Sequence, residues 1–268
     1  MLKDITLGQY FPGNSIAHKL DPRTKILLVM LYIIALFSAK GWMGYAVMAV
    51  TLAACVKVSH VGLRALVRGL KPLVFIIAFT GILNMFFTPD THYLWEWGIL
   101  RVSVKGIENA LFMVIRIMLL VMGTFLMTYT TSPIRLTDGL ESLLNPLKKI
   151  HVPVHELAMM MAIALRFIPT LIEETDKIMS AQKARGADFD SGNIFQKAKA
   201  LVPILVPLFI SAFRRADELA TAMECRCYHG GEGRTKLHVL KYQRRDYVAL
   251  AGGAVILVLV VVLRRLGA

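Results

Sequence analysis

The sequence predicts an all-α membrane protein with about five transmembrane helices and a cytoplasmic segment of three long helices. Three observations carry this. The 268-residue chain is 56% hydrophobic and only 18% charged, where a soluble domain carries about a quarter charged residues. Its apolar residues gather in runs, and a helix rising about 1.5 Å per residue needs about 20 such residues to cross a hydrocarbon core of roughly 30 Å. Between the fourth and fifth runs lie more than 100 residues that carry both signs of charge and still place apolar residues at helical spacing.

The first span is read at residues 24–39 and the second at 42–58, separated by the Lys40-Gly41 break. The third, 72–87, opens on Pro72 at the first helical position, where a missing amide does no harm. The fourth and longest is 107–131, completing an N-terminal membrane bundle of residues 1–131. The fifth occupies the C-terminal unit, 247–268, and ends against Arg264 and Arg265. Lys3, Asp4, Lys19, Asp21 and Arg23 precede any apolar run, the wrong order for a signal peptide.

Charge orients the spans. The net charge is +13 with a pI near 9.8, which suits nucleic acid, anionic lipid or an acidic partner. No basic patch is interleaved with aromatics, so nucleic acid is set aside. Lys57, Arg64, Arg68 and Lys71 fill one loop without an acid, which places that loop in the cytoplasm. The loop 88–105 pairs Arg101 and Lys105 with Asp90 and Glu96. It also carries Tyr93, Trp95 and Trp97 in the manner of an interfacial aromatic belt, and reads as external. The N-terminus and residues 132–246 are then inside a bacterial cytoplasmic membrane. Five spans leave Arg264 and Arg265 outside, against the positive-inside tendency.

Residues 132–246 divide at proline and glycine into helices near 133–150, 153–186 and 193–228. Ser132-Pro133 opens the first, Val152-Pro153 the second, and Asp190, Ser191 and Asn193 are cap candidates for the third. The second carries an apolar stripe at Leu157, Met161, Ala164, Ile168, Leu171, Ile172 and Ile178; the third repeats it from Phe195 to Met223. Such a stripe is the mark of one buried face, laid against membrane, a neighbouring helix or a partner protein. Pro203 and Pro207 are expected to kink the third helix.

No catalytic constellation appears. There is no GxxxxGK[ST] loop, no HExxH and no GxSxG elbow. The glycine-rich stretch Gly230–Lys236 has the wrong spacing for a phosphate cradle and reads as a connector. Cys225 and Cys227 with His229 nearby lack the two separated ligand pairs of a zinc site. Asn84 and Arg116 stand out inside the spans. An intramembrane arginine marks function by default, against the plainer reading that it reaches an interface or a carbonyl.

Four segments together resemble the transmembrane T component (EcfT) of energy-coupling factor (ECF) transporters, the CbiQ-like family. They are Leu20-Asp-Pro-Arg-Thr-Lys25, Ala164-Leu-Arg-Phe-Ile-Pro-Thr-Leu171, Ala184-Arg185-Gly186 and Cys225-Arg226-Cys227. The resemblance implies a non-catalytic coupling subunit of an ATP-driven vitamin or micronutrient importer in the cell membrane. It further implies two ABC-type ATPase subunits and an interchangeable substrate-binding S component as partners, with no cofactor or metal of its own. Arg185 and Arg226, with Ala184, Gly186, Glu224, Cys225 and Cys227, are the implied ATPase-coupling residues. Met159, Met160, Met161, Ala164 and Ile168 are the candidate S-component contacts, methionine being suited to a surface that accepts several partners. Cys225 and Cys227 depart from the family's Ala-Arg-Gly. Cysteine tolerates a positive φ less well than glycine. Two alternatives stand beside this reading: a dedicated T component of a cobalt or nickel importer, and a membrane enzyme with its site in residues 132–246.

Overall fold

A computed structural model of the chain describes residues 10–88, 93–97, 100–187, 189, 193–230 and 239–266. In chain order the helices are α1 (Ile16–Lys19), α2 (Pro22–Ser38), α3 (Gly41–Ser59), α4 (Leu63–Leu70) and α5 (Val74–Phe87). A hairpin of β1 (Tyr93–Trp97) and β2 (Leu100–Ser103) follows, and then α6 (Val104–Thr130), α7 (Pro133–Leu144), α8 (Val154–Ala184), α9 (Ile194–Cys225) and α10 (Arg244–Arg265). The chain forms two compact units, with the division inside α7. Among the described residues, one comprises 10–140 with 240–266, the other the described part of 141–239.

Among the described residues, five helical stretches are long and apolar enough to cross a membrane: α3, the continuous run from Leu63 to Phe87, α6, α8 and α10. Four of them overlap spans expected from the sequence. The expected first span corresponds to α2, whose 17 residues reach only about 25 Å. By length and apolarity α8 qualifies instead, although the sequence placed it in the cytoplasmic segment. The third run also starts earlier than expected. Residues 63–70 are already helical, with Leu66 and Leu70 buried and Arg64 and Arg68 exposed one turn apart. Pro72 sits in the 3-10 turn Lys71–Leu73 that joins α4 to α5, not at the start of the helix. The loop read as external contains the antiparallel β1–β2 hairpin, with Tyr93 opposite Ser103 and Trp97 opposite Leu100. Asp90, Ser191, Asp190 and the connector 231–236 fall outside the described residues.

In the membrane unit α6 is the central helix. It packs against α2, α3, α4 and α5, and α2 packs against α10. Leu36, Met48, Leu66 and Val260 are fully buried, with Ala35, Tyr45, Leu52, Val56, Leu119 and Tyr129 around them. Lipid tails are as apolar as leucine, so close packing rather than hydrophobicity holds such helices together. Gly123 shows this. A Cβ there would lie 2.4 Å from the Tyr32 ring, whose hydroxyl donates to the Leu119 carbonyl at 2.9 Å. The two side chains singled out inside the spans, Asn84 and Arg116, are also accommodated. Asn84 donates one turn back to the Thr80 carbonyl at 2.9 Å. Arg116 reaches the Tyr45 hydroxyl from Nε at 2.9 Å and from Nη2 at 2.5 Å, with its guanidinium 5.7 Å from the Phe37 and Tyr45 ring centres. Phe37 and Tyr45 flank the α2–α3 turn, so the arginine extends toward helix ends.

The Leu20–Lys25 motif is a polar junction. Asp21 caps α2, its Oδ1 accepting from the Arg23 amide at 2.9 Å, with Pro22 at the first helical position. The Arg23 side chain grips the same carboxylate from Nη2 at 3.0 Å and lies 4.1 Å over the Tyr242 ring; its hydrogen bond to Asp21 raises the guanidinium above its ordinary pKa. The Asp21 amide donates to Asp246 Oδ1 at 2.9 Å. Asp246 in turn closes a capping box with Gln243 at the start of α10. Lys25 Nζ is buried and donates to the Thr130 carbonyl and Thr131 Oγ1, both at 2.9 Å. The first turns of α2 and α10 and the last turn of α6 are thereby held at one place. The chain between Thr131 and Gln243 leaves and returns at the same end of the bundle.

Replacing Lys25 with methionine keeps the length of the side chain but orphans two buried acceptors, a loss of about 2 kcal/mol. The variant is expected to unfold at a lower temperature in detergent; an unchanged midpoint would show that the junction does not depend on this ammonium.

Candidate docking site on the long helices

The second unit contains the remainder of α7, the 3-10 turn Asn145–Ile150, α8 and α9. Residues 133–150 are helical throughout, but the winding tightens at Asn145-Pro146, where proline removes an amide. His151 then turns the chain with φ of 61°. The second unit's helices are 31 and 32 residues long, about 46 and 48 Å. Asn193 stands at the N-terminal boundary of α9, and its amide donates to the Gln196 side chain at 3.0 Å, one half of a capping box.

The helices pass one another in opposite senses. Gln182, late in α8, donates to the carbonyl of Pro203, early in α9, at 3.3 Å. Glu174 pairs with Arg215 at 3.1 Å, and the Arg215 guanidinium also lies 5.9 Å from the centre of the Phe167 ring. All three interior prolines, Pro169, Pro203 and Pro207, precede this ion pair in their helices. The segments running on to the C-termini are uninterrupted.

Both C-termini close in the same way. At the end of α8, the Gly186 amide donates to the Lys183 carbonyl and the Ala187 amide to the Gln182 carbonyl, each at 3.0 Å. At the end of α9, the Cys227 amide donates to Glu224 at 2.8 Å and the Tyr228 amide to Met223 at 3.1 Å. Each is a complete Schellman motif, with the residue after the cap in the left-handed region. Gly186 has φ of 88° and Cys227 φ of 56°. Arg185 and Arg226 therefore occupy the same position, the C-cap, and both are exposed. A cation there is favoured by the carbonyl end of the helix dipole. Cys227 takes the same left-handed conformation as Gly186, at a steric cost of roughly 1–2 kcal/mol. Cys225 and Cys227 are exposed free thiols, and Ala184 and Glu224 are exposed beside them.

The apolar stripes are only partly covered by the chain itself; of the three coverings open to them, a neighbouring helix accounts for part, and the membrane or a partner is left for the rest. Leu157 is exposed, Met160 is 55% and Met161 36% exposed, and Ala164 is also exposed. Met159 and Ile168 are half-buried. On α9, Phe195, Val202, Leu205 and Phe209 are all exposed, together with Phe213. Consecutive methionines 159–161 fan across about 200° of helix, so they do not form one face; Met161, Ala164 and Ile168 do. Missing from the sequence reading was the Glu174–Arg215 contact, which apolar periodicity does not signal.

Substituting Cys227 with glycine is expected to stabilise the end of α9 by about 1 kcal/mol, whereas valine should fray it, β-branching being incompatible with a positive φ. Hydrogen exchange at the Tyr228 amide reads this directly: slower in the glycine variant, faster in the valine variant. Equal rates in the two would contradict a left-handed Cys227.

Residues 13–237 match the model of the CbiQ family, described as cobalt transport protein. The chain is 55% identical over 267 residues to the energy-coupling factor transporter transmembrane protein EcfT of Clostridium kluyveri, covering 99% of this chain and 98% of that one. It is 55% identical over 246 residues to the protein of the same name from Ruminiclostridium cellulolyticum, covering 92% of each. To that of Bacillus subtilis it is 46% identical over 264 residues, covering 98% of this chain and all of the relative.

Proposed function

This chain belongs to the CbiQ family as a transmembrane T component of energy-coupling factor transporters, and we propose that it couples two cytoplasmic ABC-type ATPases to a substrate-binding S component in vitamin or micronutrient import. It is a multi-pass membrane protein. The equivalence of the two helix ends supports the coupling role. Two long helices end in the same cap, and each cap presents an exposed arginine in the same backbone setting. Two like sites on one asymmetric chain suit two like partners. Arginine suits the task because its planar fork makes several charge-assisted hydrogen bonds and keeps its charge at any physiological pH.

In this reading each ATPase offers an acidic pocket to Arg185 or Arg226, with Ala184, Gly186, Glu224, Cys225 and Cys227 shaping the rim. ATP is bound and hydrolysed by those partners, and the chain holds no cofactor. The exposed Met160, Met161 and Ala164, with the half-buried Met159 and Ile168 beside them, receive the S component. The N-terminus and the long helices lie on the cytoplasmic side of the cell membrane. The description of the family as cobalt transport proteins favours a second reading, a dedicated T component for cobalt or nickel. Cells that depend on this chain for cobalt rather than for a vitamin would establish it.

Reversing charge at both arginines, R185E with R226E, is expected to abolish recovery of the ATPases with the tagged chain while leaving its membrane insertion intact. Each single reversal should weaken binding at least tenfold, the loss of one charge-assisted anchor of about 1.5–3 kcal/mol. Undiminished recovery from the double variant sinks the docking role.

A further inference from the structure

The crossing of α8 and α9 has a property that rests on the docking role of Arg185 and Arg226 and extends it. Glu174 and Arg215 form an ion pair at 3.1 Å with both side chains part-buried, 23% and 29% exposed. From Glu174 the chain runs eleven residues to Arg185, and from Arg215 it runs eleven residues to Arg226. Both stretches are helical to the cap and free of proline. Eleven residues make about 16 Å and, at about 100° each, three turns with only some 20° left over. Each C-cap arginine therefore lies on the same side of its helix as the member of the ion pair behind it. The two arms are equal in length and equal in phase.

We propose that the Glu174–Arg215 pair is a fulcrum: a positioning contact that fixes the register of α8 on α9 and about which the two docking arms turn together. The chemistry fits a pivot rather than a weld. Arg215 is bonded to the carboxylate through Nη2 alone, while its Nη1 is buried with no partner. The planar guanidinium can exchange one amino group for the other, or engage both, as the carboxylate swings past it. Phe167, beneath the guanidinium, supplies a flat face on which such a turn keeps its cation–π contact. An apolar contact of the same size would hold the helices together but would not define a centre of rotation. Apolar helix packing admits several registers, whereas a part-buried ion pair at a crossing, backed by the Gln182–Pro203 hydrogen bond eight residues along α8, admits one; only that weaker bond to a backbone carbonyl has to yield when the α8 arm turns. Because the arms are equal, a given angle at the fulcrum displaces both arginines by the same arc. The paired motion of two like ATPases is then transmitted without shearing one dock against the other.

The experiment uses the full complex purified through this chain, with its ATPases and S component. Spin labels on ketone-bearing residues introduced at the exposed positions Lys183 and Thr221 report the separation of the arms. Measurements are made with and without a non-hydrolysable ATP analogue. In the parent chain the analogue is expected to shift the distance by about 2–4 Å, the labels lying nine and six residues, about 13 and 9 Å, from the ion pair and each arm turning roughly 10°. E174Q and R215Q should retain both ATPases but lose this shift or replace it with a broad distribution. The exchanged pair, E174R with R215E, should restore it. A merely structural contact would not be rescued in the distance response by exchanging the charges. The proposal is overturned if the single variants respond like the parent, if the parent itself does not respond, or if the exchanged pair fails to recover the shift. Failure of the parent chain to recover any ATPase would instead overturn the docking role, which is a different result.

Discussion

The ammonium of Lys25 can be buried only because two oxygens at the end of α6 meet it, the Thr130 carbonyl and Thr131 Oγ1. A charged donor away from water is tolerated where its hydrogen bonds are made and a compensating field is present. The last turn of α6 supplies both, since unsatisfied carbonyls and the negative end of the helix dipole converge there. Nearby, Asp246 receives the Asp21 amide and so fastens α10 to the same place. The path of the chain follows from this junction. With Thr131 and Asp246 brought to one junction, the chain between them begins and ends there, and two helices of more than 30 residues lie in that stretch.

The sequence made the apolar runs legible because lipid demands length and apolarity in a row, which is a one-dimensional signal. Pro133 and Asn193 likewise marked helix starts, since caps and first-turn prolines act locally. The same logic misplaced Pro72. A first-turn proline and a proline in a 3-10 joint look alike in sequence, and the amphipathic turn of Leu66 and Leu70 before it was read as loop because its charges are positive. The β1–β2 hairpin was hidden for another reason: its strands are short, and the aromatic residues that build β1 also make a plausible interfacial belt. The span count was affected by α2 and α8, where length and composition alone point opposite ways from the position of the charges.

At the site, the sequence identified the two arginines through resemblance, and their backbone setting could not be read from it. Ala-Arg-Gly announces a left-handed residue after the cap; Cys-Arg-Cys does not. That Cys227 takes the same φ region as Gly186 is a tertiary fact, set by the two hydrogen bonds of the Schellman closure, which outweigh the strain of a Cβ. The Glu174–Arg215 contact is hidden for a similar reason. Each residue sits on a charged helix among many charges, and only the opposed packing of the helices selects this pair from the others.

Placing the proposed docking arginines at helix C-termini has a consequence for the partner. In the free chain the carbonyl ends of α8 and α9 already stabilise the two cations, by about 0.3–1 kcal/mol each at an exposed position. A partner must therefore offer more than a neutral acceptor, and a carboxylate pair placed to take the guanidinium fork meets that requirement. The same dipole opposes an acid at the cap, so charge reversal there penalises the helix end as well as the contact. Glu224 already stands two residues before Arg226, where its charge is unfavourable to the dipole but adjacent to the cation. A lever ends best in a group that is held by its own helix until a stronger field takes it, because the helix then arrives at the partner with its last turn already formed.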